Sequence, residues 1–233
     1  MKTTLFIPAL NEYEGLRHFL PKIPRERFCQ ILVVDGQSTD ESVRWLQESG
    51  YEFYVQKNRG IRNAYVEAWP LIKGDYVVTF SPDGNCKIED LPLLLLELEK
   101  GADMVIASRY LPPAKSEDDN LLTAFGNMMF TKMISTLFRF KFTDSLTIYR
   151  GYRTDLFNTL DIKNGRVDYL EKILKTNVGV EPLISIRAAK NKLKIKEVSS
   201  DEPKRFFGSP KMLPFKWGLL ILVQIMTEFI VPS

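Results

Sequence analysis

Two cysteines, Cys29 and Cys86, are all that this chain of 233 residues carries. A single pair cannot build a disulfide framework, and this one lacks metal-ligand spacing, which excludes a small secreted scaffold and fits a reducing, cytoplasmic setting. Cys29 opens an apolar run and reads as a small buried hydrophobe, whereas Cys86 stands beside an acidic loop without an evident role. Histidine is scarcer still. His18 is the only one, and on the first predicted helix it reads as a surface or structural residue rather than a catalytic one. No Gly-x-Gly-x-x-Gly and no Walker lysine motif occur, so dinucleotide and P-loop readings lose their main support. Internal repeats are absent too, which argues against a solenoid. The apolar stretch from Trp217 to Met226 is interrupted by Gln224 and followed by Glu228. It falls short of the ~20 apolar residues that a bilayer span requires. A net charge of +3 is too small to argue for nucleic acid, and the strand-like opening leads us to expect no signal peptide.

What is present is the composition of a folded protein, with 45% hydrophobic and 26% charged residues. The length allows one sizeable core with a small appendage. The expected division is a catalytic domain over residues 1–212 and an amphipathic, apolar C-terminal helix over 213–233. Strand-like runs at Thr3–Pro8, Gln30–Asp35, Tyr51–Val55, Asp75–Phe80 and Ala102–Ala107 alternate with helical patterns at Glu12–Leu20, Asp40–Ser49, Ile61–Lys73 and Asp90–Lys100. Such alternation predicts an α/β fold, a mainly parallel sheet with helices on both faces. Ser38 and Thr39 are positioned to cap the second helix, with Asp40 and Glu41 in its first turn and Gly50 as its stop. Beyond Tyr110 the alternation ends. A polar, Pro-containing loop is followed by a helical stretch whose Leu121, Leu122, Phe125, Met128, Met129, Ile134, Leu137 and Phe138 read as core. Thr147–Arg150 and Leu183–Arg187 are predicted as strands, with Asp168–Thr176 as a helix between them.

Ligands of an open parallel sheet bind beyond the carboxyl ends of its strands, where strand order reverses. Three such ends carry Pro8-Ala9-Leu10-Asn11-Glu12, Asp35-Gly36-Gln37-Ser38 and Ser81-Pro82-Asp83-Gly84-Asn85. Asp35, directly after Ile31–Val34, can accept hydrogen bonds from a ribose or base, or can cap the following helix. Asp83 and the Asn85 amide oxygen would make a partial shell for Mg or Mn, which take oxygen ligands and keep one or two protein carboxylates beside substrate phosphates. Pro-Asp-Gly is equally a turn signal. Basic residues cluster from Arg187 to Lys216, either as a solvated face or as a surface that meets phosphates or an anionic membrane.

Together these segments resemble glycosyltransferase family 2 over most of the chain. Ile7-Pro8-Ala9-Leu10-Asn11-Glu12 resembles the family's P-x-x-N-E start, Val33 to Asp40 its V-D-x-x-S-x-D turn, and Asn58-Arg59-Gly60-Ile61-Arg62-Asn63-Ala64 its Gly-rich helix start. The resemblance implies the GT-A fold and a nucleoside-diphosphate sugar as donor. Its contacts would be Pro8, Ala9, Asn11, Glu12, Asp35, Gln37, Gly60, Asn63, Ser81, Pro82 and Asp83. Within the family the chain is most similar to dolichol-phosphate mannosyltransferases and other polyprenyl-phosphate glycosyltransferases. That likeness rests on Ala107-Ser108-Arg109-Tyr110, Phe142-Thr143-Asp144 leading to Tyr149-Arg150, Glu202-Pro203-Lys204-Arg205 and Gly208-Ser209-Pro210-Lys211. It implies that Arg109, Arg205, Ser209 and Lys211 bind acceptor or donor phosphates. One departure stands out: the family's D-x-D-x-Q becomes Ser81-Pro82-Asp83-Gly84-Asn85, so the first acid is lost. Fewer ligand charges weaken the hold on a hard cation.

The reaction so implied is an inverting displacement at the anomeric carbon, with Asp83, Arg109, Asp144 and Arg205 as catalytic residues and a Mg or Mn ion held by Asp83 and Asn85. A polyprenyl phosphate acceptor is already an anion, whereas a glycan hydroxyl would need a base, for which Asp144 and Glu197 are the available carboxylates. Trp217 and its flanking lysines suit a peripheral contact with the cytoplasmic face of a membrane; closing the core or a homodimer contact are the alternative uses of that helix. The competing functions are a transferase acting on a soluble glycan, a sugar nucleotidyltransferase, whose Gly-rich phosphate loop Ile7–Glu12 does not match, and a silent sugar-nucleotide-binding protein, which the loss at Ser81 would suit.

Overall fold

The computed structural model describes residues 1–167, 173, 179–207 and 214–231. Its elements are β1 (Thr3–Ala9), α1 (Tyr13–Phe19), β2 (Gln30–Asp35), α2 (Ser42–Ser49), β3 (Glu52–Val55), α3 (Ile61–Ala68), β4 (Tyr76–Thr79), α4 (Leu91–Glu99), β5 (Met104–Ser108), α5 (Leu121–Leu137), β6 (Arg150–Arg153), α6 (Leu156–Thr159), α7 (Val180–Lys190), β7 (Ile195–Ser199) and α8 (Pro214–Ile230). The strands form one sheet in the order β3-β2-β1-β4-β6-β5-β7. Only β6 runs against its neighbours.

Because β1 is covered on both sheet faces, it is apolar without alternation from Leu5 to Ala9. Leu5 and Ile7 face a core completed by Leu16, Leu46, Leu91, Leu94 and Leu98 of α1, α2 and α4. Phe6 faces the other core, with Tyr65 of α3, Ile134 of α5, Ile184 of α7 and Ile221 and Ile225 of α8. The sheet is thus one layer between two of helices. Gly50 ends α2 at a φ of 69°, a left-handed position that favours glycine. Asn120 starts α5 with a capping box: its side chain accepts the Leu122 and Thr123 amides while the Thr123 hydroxyl accepts the Asn120 amide.

Several expectations need correction. Leu183–Arg187 is not a strand but the middle of α7; every residue from Val180 to Ala189 is buried, and a helix buried on all sides shows no period to separate it from a buried strand. The expected strand at Thr147–Arg150 begins instead at Arg150, because the Thr147 amide is tied to the Asp144 carboxylate in a turn. β7 lies within the Lys-rich stretch, where Ile195 faces the core while Lys196 points outward. Cys29 is exposed, one residue ahead of β2, and Cys86 is buried. Asp40, not Ser38 or Thr39, accepts the Ser42 amide at the start of α2. Leu121, Leu122, Phe125, Met128 and Met129 are exposed rather than core; α5 buries Asn127, Phe130, Thr131 and Ile134 instead. The helix expected at Asp168–Thr176 lies outside the described residues apart from Ile173.

The C-terminal helix α8 is amphipathic in a specific sense. Leu220, Ile221 and Ile225 are fully buried, while Phe215, Leu219, Leu222, Met226, Phe229 and Ile230 are exposed. Among the described residues no helix is long and apolar enough to cross a membrane. Buried Glu228 fastens α8 to the body: its carboxylate accepts from Arg187 Nη2 at 2.6 Å and Arg166 Nη1 at 3.2 Å, and lies 3.9 Å from Lys190 Nζ. Arg187 and Lys190 are therefore internal partners and not part of a basic surface. Removing the carboxylate strands a buried arginine, so Glu228→Ala should cost roughly 3–5 kcal/mol of unfolding free energy. Urea denaturation followed by circular dichroism measures it, and a loss under about 1 kcal/mol, the worth of an exposed pair, would mean that the cluster does not hold the helix.

Candidate functional site

The site follows from the pairing of β1. It lies in parallel between β2 and β4, with Ala9 opposite Asp35 and Phe6 opposite Thr79, so the carboxyl ends of three strands open on one rim. Side chains lace these ends together. Asn11, in left-handed conformation at a φ of 52°, accepts the Thr39 amide at 2.7 Å while its own amide donates to Ser38 Oγ at 2.8 Å. Asp40 accepts the Tyr13 amide, binding the α2 entry to that of α1. Asp35 is fully buried: one oxygen accepts the Ser38 amide at 2.9 Å, and Oδ2 has no hydrogen-bond partner among the described residues. One Asp35 oxygen thus closes the turn after β2 rather than capping α2, and the other is left for a hydrogen-bond donor. Glu12 is also buried, at the start of α1.

Next to Asp35, Gln37 adopts a φ of 68° and donates to the Gln56 and Lys57 carbonyls while accepting from Arg59 Nε. Gly60 opens α3 at a φ of 111°, and Asn63 donates back to the Arg59 carbonyl. Two organisers of this loop carry no motif signal. Buried Gln56 donates to the Asn58 and Gly60 carbonyls, and Glu67 accepts the Lys57 and Asn58 amides.

The loop after β4 rests directly on α1. A Cβ at Gly15 would lie 2.0 Å from the Pro82 carbonyl oxygen, so only glycine permits this approach. Gly84, at a φ of 100°, turns the loop. Asp83 is buried; Oδ1 accepts the Asn85 amide at 3.1 Å and Oδ2 pairs with Arg205 Nη1 at 3.1 Å. Asn85 Nδ2 donates to Asp118, which also accepts the Arg205 amide, while Asn85 Oδ1 is buried without a partner among the described residues. An orphaned amide oxygen beside a buried carboxylate fits a hard divalent cation. Among the described residues no group of three or more His, Cys, Asp or Glu could hold one, so such an ion would draw most of its shell from substrate phosphates and water.

A second cluster stands alongside. Arg109 Nε and Nη2 donate to the two oxygens of Asp144 at 2.6 and 3.0 Å, and Nη1 reaches Glu202 at 3.2 Å. Burial alone would raise the Asp144 carboxyl, but the Arg109 guanidinium and backbone amides outweigh it and hold it below the ordinary value. For Glu202 burial prevails, and its carboxyl is raised. Asp144 is wholly buried and committed to Arg109, so it acts as a positioning residue and does not present a base to an acceptor. Glu197, raised chiefly by burial, accepts the Thr143 and Asp144 amides and is likewise occupied. The two clusters are joined where Lys115 and Glu117 pair their backbones with Glu202. Ser209 and Lys211 lie outside the described residues.

Comparison with known proteins adds to this geometry. A family model described as "Glycosyl transferase family 2" matches residues 4–161, more than half of the chain. The chain is 26% identical over 226 residues to glycosyltransferase AglJ of Haloferax volcanii, covering 95% of this chain and 70% of that protein. It is 27% identical to an undecaprenyl-phosphate mannosyltransferase of Micrococcus luteus, covering 91% and 88% of the two. Among solved structures it is similar to glucosyl-3-phosphoglycerate synthase of Mycobacterium tuberculosis in complex with Mn2+, uridine diphosphate and glucosyl-3-phosphoglycerate. The TM-score is 0.70 at 15% identity, over 100% of this chain and 81% of that one. The expected α/β architecture of GT-A type is thereby borne out.

The buried Arg109–Asp144 pair makes stability depend on pH. Because the Asp144 carboxyl is depressed on folding, its contribution is complete above the unfolded value of about 3.9 and is lost as pH falls through the lower folded value. Asp144→Asn should remove that part of the acid limb and lower stability at neutral pH by roughly 3–5 kcal/mol. Urea midpoints between pH 3 and 7, at pH steps of about one unit, measure both effects; a variant whose pH profile parallels wild type would overturn the assignment.

Proposed function

This chain belongs to glycosyl transferase family 2, and from that premise we propose that it transfers a hexosyl group, with inversion, from a nucleoside-diphosphate sugar to a polyprenyl phosphate at the cytoplasmic face of a membrane. One observation carries the choice of acceptor: the phosphate-binding candidates open onto apolar surface. Arg205 is followed by exposed Phe206 and is tied through Asp118 to the loop that leads into the exposed Leu121, Leu122 and Phe125. The helix α8, which packs beside α5, carries exposed apolar side chains of its own. Apolar side chains beside cations are what a peripheral protein sets against anionic headgroups, and an acceptor with an ionic head and a hydrocarbon tail matches both halves.

In this reading the unpartnered Asp35 oxygen takes a hydrogen bond from the nucleoside, and Pro8, Ala9, Asn11, Glu12, Gln37, Gly60, Asn63, Ser81 and Pro82 wall the donor. Asp83 and Asn85 would hold a Mg or Mn ion, which supplies charge neutralisation for the departing diphosphate. An oxygen of the acceptor phosphate attacks the anomeric carbon from the face opposite the diphosphate. The bond from that carbon to the diphosphate oxygen breaks, and the nucleoside diphosphate leaves with the electron pair. Being an anion already, the acceptor needs no proton removed, consistent with Asp144 being engaged by Arg109 and Glu197 by the Thr143 and Asp144 amides. Arg109, clamped in place by Asp144 and Glu202, is preorganised to face developing charge.

The test is to incubate the protein and Mn2+ with a panel of labelled sugar nucleotides and vesicles containing polyprenyl phosphate. Labelled glycolipid is expected, with Asp83→Ala reducing the rate at least ~100-fold, the scale for losing a principal electrostatic contact. Labelling of a soluble glycan alone would sink the lipid acceptor, and no transfer with any donor would sink the enzyme.

A further inference from the structure

Asp83 has two claimants. A cation bound to Asp83 through Oδ2 would come against the Arg205 guanidinium, which pairs with that oxygen at 3.1 Å, while Oδ1 accepts the Asn85 amide. A divalent ion and a guanidinium within one carboxylate's reach repel each other, and little water separates them because both side chains are mostly buried. In a loop with a second carboxylate the two cations could be shared out; here Ser81 takes that position. With a single carboxylate between them in so buried a place, repulsion makes the two cations compete for it.

The backbone around Arg205 is fastened in the same closed position. The Phe206 and Phe207 amides both point at the Asp83 carbonyl oxygen, at 3.0 and 3.4 Å, and the Arg205 amide donates to Asp118. The Phe206 ring lies over Gly84 so closely that a Cβ there would meet it at 2.7 Å. Phe207 packs its ring against His18 and Phe19 of α1, with centroids 5.5 and 6.3 Å away. Residues 205–207 therefore form a strap across the Asp83 loop, with the guanidinium as its buckle.

We propose that Arg205 is a self-inhibitory latch: it occupies the cation's place on Asp83, and entry of the cation with the donor diphosphate displaces it, freeing its guanidinium for the acceptor anion. This rests on the reading of Asp83 as the cation ligand. It adds an order, since the acceptor's cation becomes available only after the donor's has bound, and it assigns Arg205 a negative effect on donor affinity together with its positive one on transfer. A protein held mostly in the latched state binds its cation and donor with an affinity reduced by the fraction unlatched.

Calorimetric titration of Mn2+ with uridine or guanosine diphosphate into wild type, Arg205→Gln and Arg205→Lys tests the latch. Arg205→Gln should bind roughly tenfold more tightly than wild type, while Arg205→Lys, which keeps the positive charge, stays within about threefold of it. In wild type, hydrogen exchange at the Phe206 and Phe207 amides should speed up once Mn2+ and the diphosphate are added. Equal or weaker binding by Arg205→Gln, with wild type binding normally, overturns the latch and leaves the sugar-nucleotide reading standing. If neither wild type nor Arg205→Gln binds either diphosphate, that reading falls and the latch falls with it.

Discussion

The constraint on which everything else depends is the position of β1 between two parallel neighbours. Hydrogen bonding to β2 on one side and β4 on the other fixes the register of all three strands, and a parallel arrangement delivers their carboxyl ends to the same rim. Once that is set, Asp35 and Asp83 need no long-range guidance; one is the last residue of β2 and the other lies in the short loop that follows β4. The remaining work is local. Asn11, Ser38, Thr39 and Asp40 bind the first two strand ends to each other, and Gly15 lets α1 support the third. Both cores of the sheet stand behind this rim, so a change that unsettles β1 is felt on either face.

Charge compensation is the second theme. Arg109 lies between Asp144 and Glu202, Arg205 on Asp83, and Arg187 and Lys190 around Glu228. Buried cations so matched cost little in the absence of ligand, because neither partner is left bare in a medium that solvates charge poorly. On the proposed reading, an incoming diphosphate or lipid phosphate would have to exchange partners with a carboxylate already in place. Selectivity would follow from that exchange, since a neutral ligand offers the arginines no replacement for the carboxylates they would give up.

Much of the first half was legible in the sequence. β1, β2 and the helices after them are bounded apolar runs with glycine, proline and acidic punctuation, and local signals suffice for them. α7 defeated the same reasoning because its burial on all sides erases periodicity, and β7 because Lys196 and Glu197, following buried Ile195, mask its short apolar pattern. The stripe on α5 shows a further limit: a period of 3.6 identifies a face as apolar without saying what it meets. In the site, Asp83, Asn85, Arg109 and Arg205 could be picked out by type and order. Their partners could not, since Arg109 and Glu202 stand 93 residues apart in sequence and nothing local announces that they meet. Asp118, Gln56 and Gly15 are ordinary residues in ordinary contexts until the chain is folded.

The most direct test of the central claim, that the ends of β1, β2 and β4 form one binding rim, is a crystal structure of the protein grown with Mn2+ and a nucleoside diphosphate. The nucleoside is expected against Asp35 and the diphosphate between the Asn11 turn and the Asp83 loop, with Mn2+ on Asp83. A nucleotide bound elsewhere, with Asp35 Oδ2 and Asn85 Oδ1 still unpartnered, would contradict it.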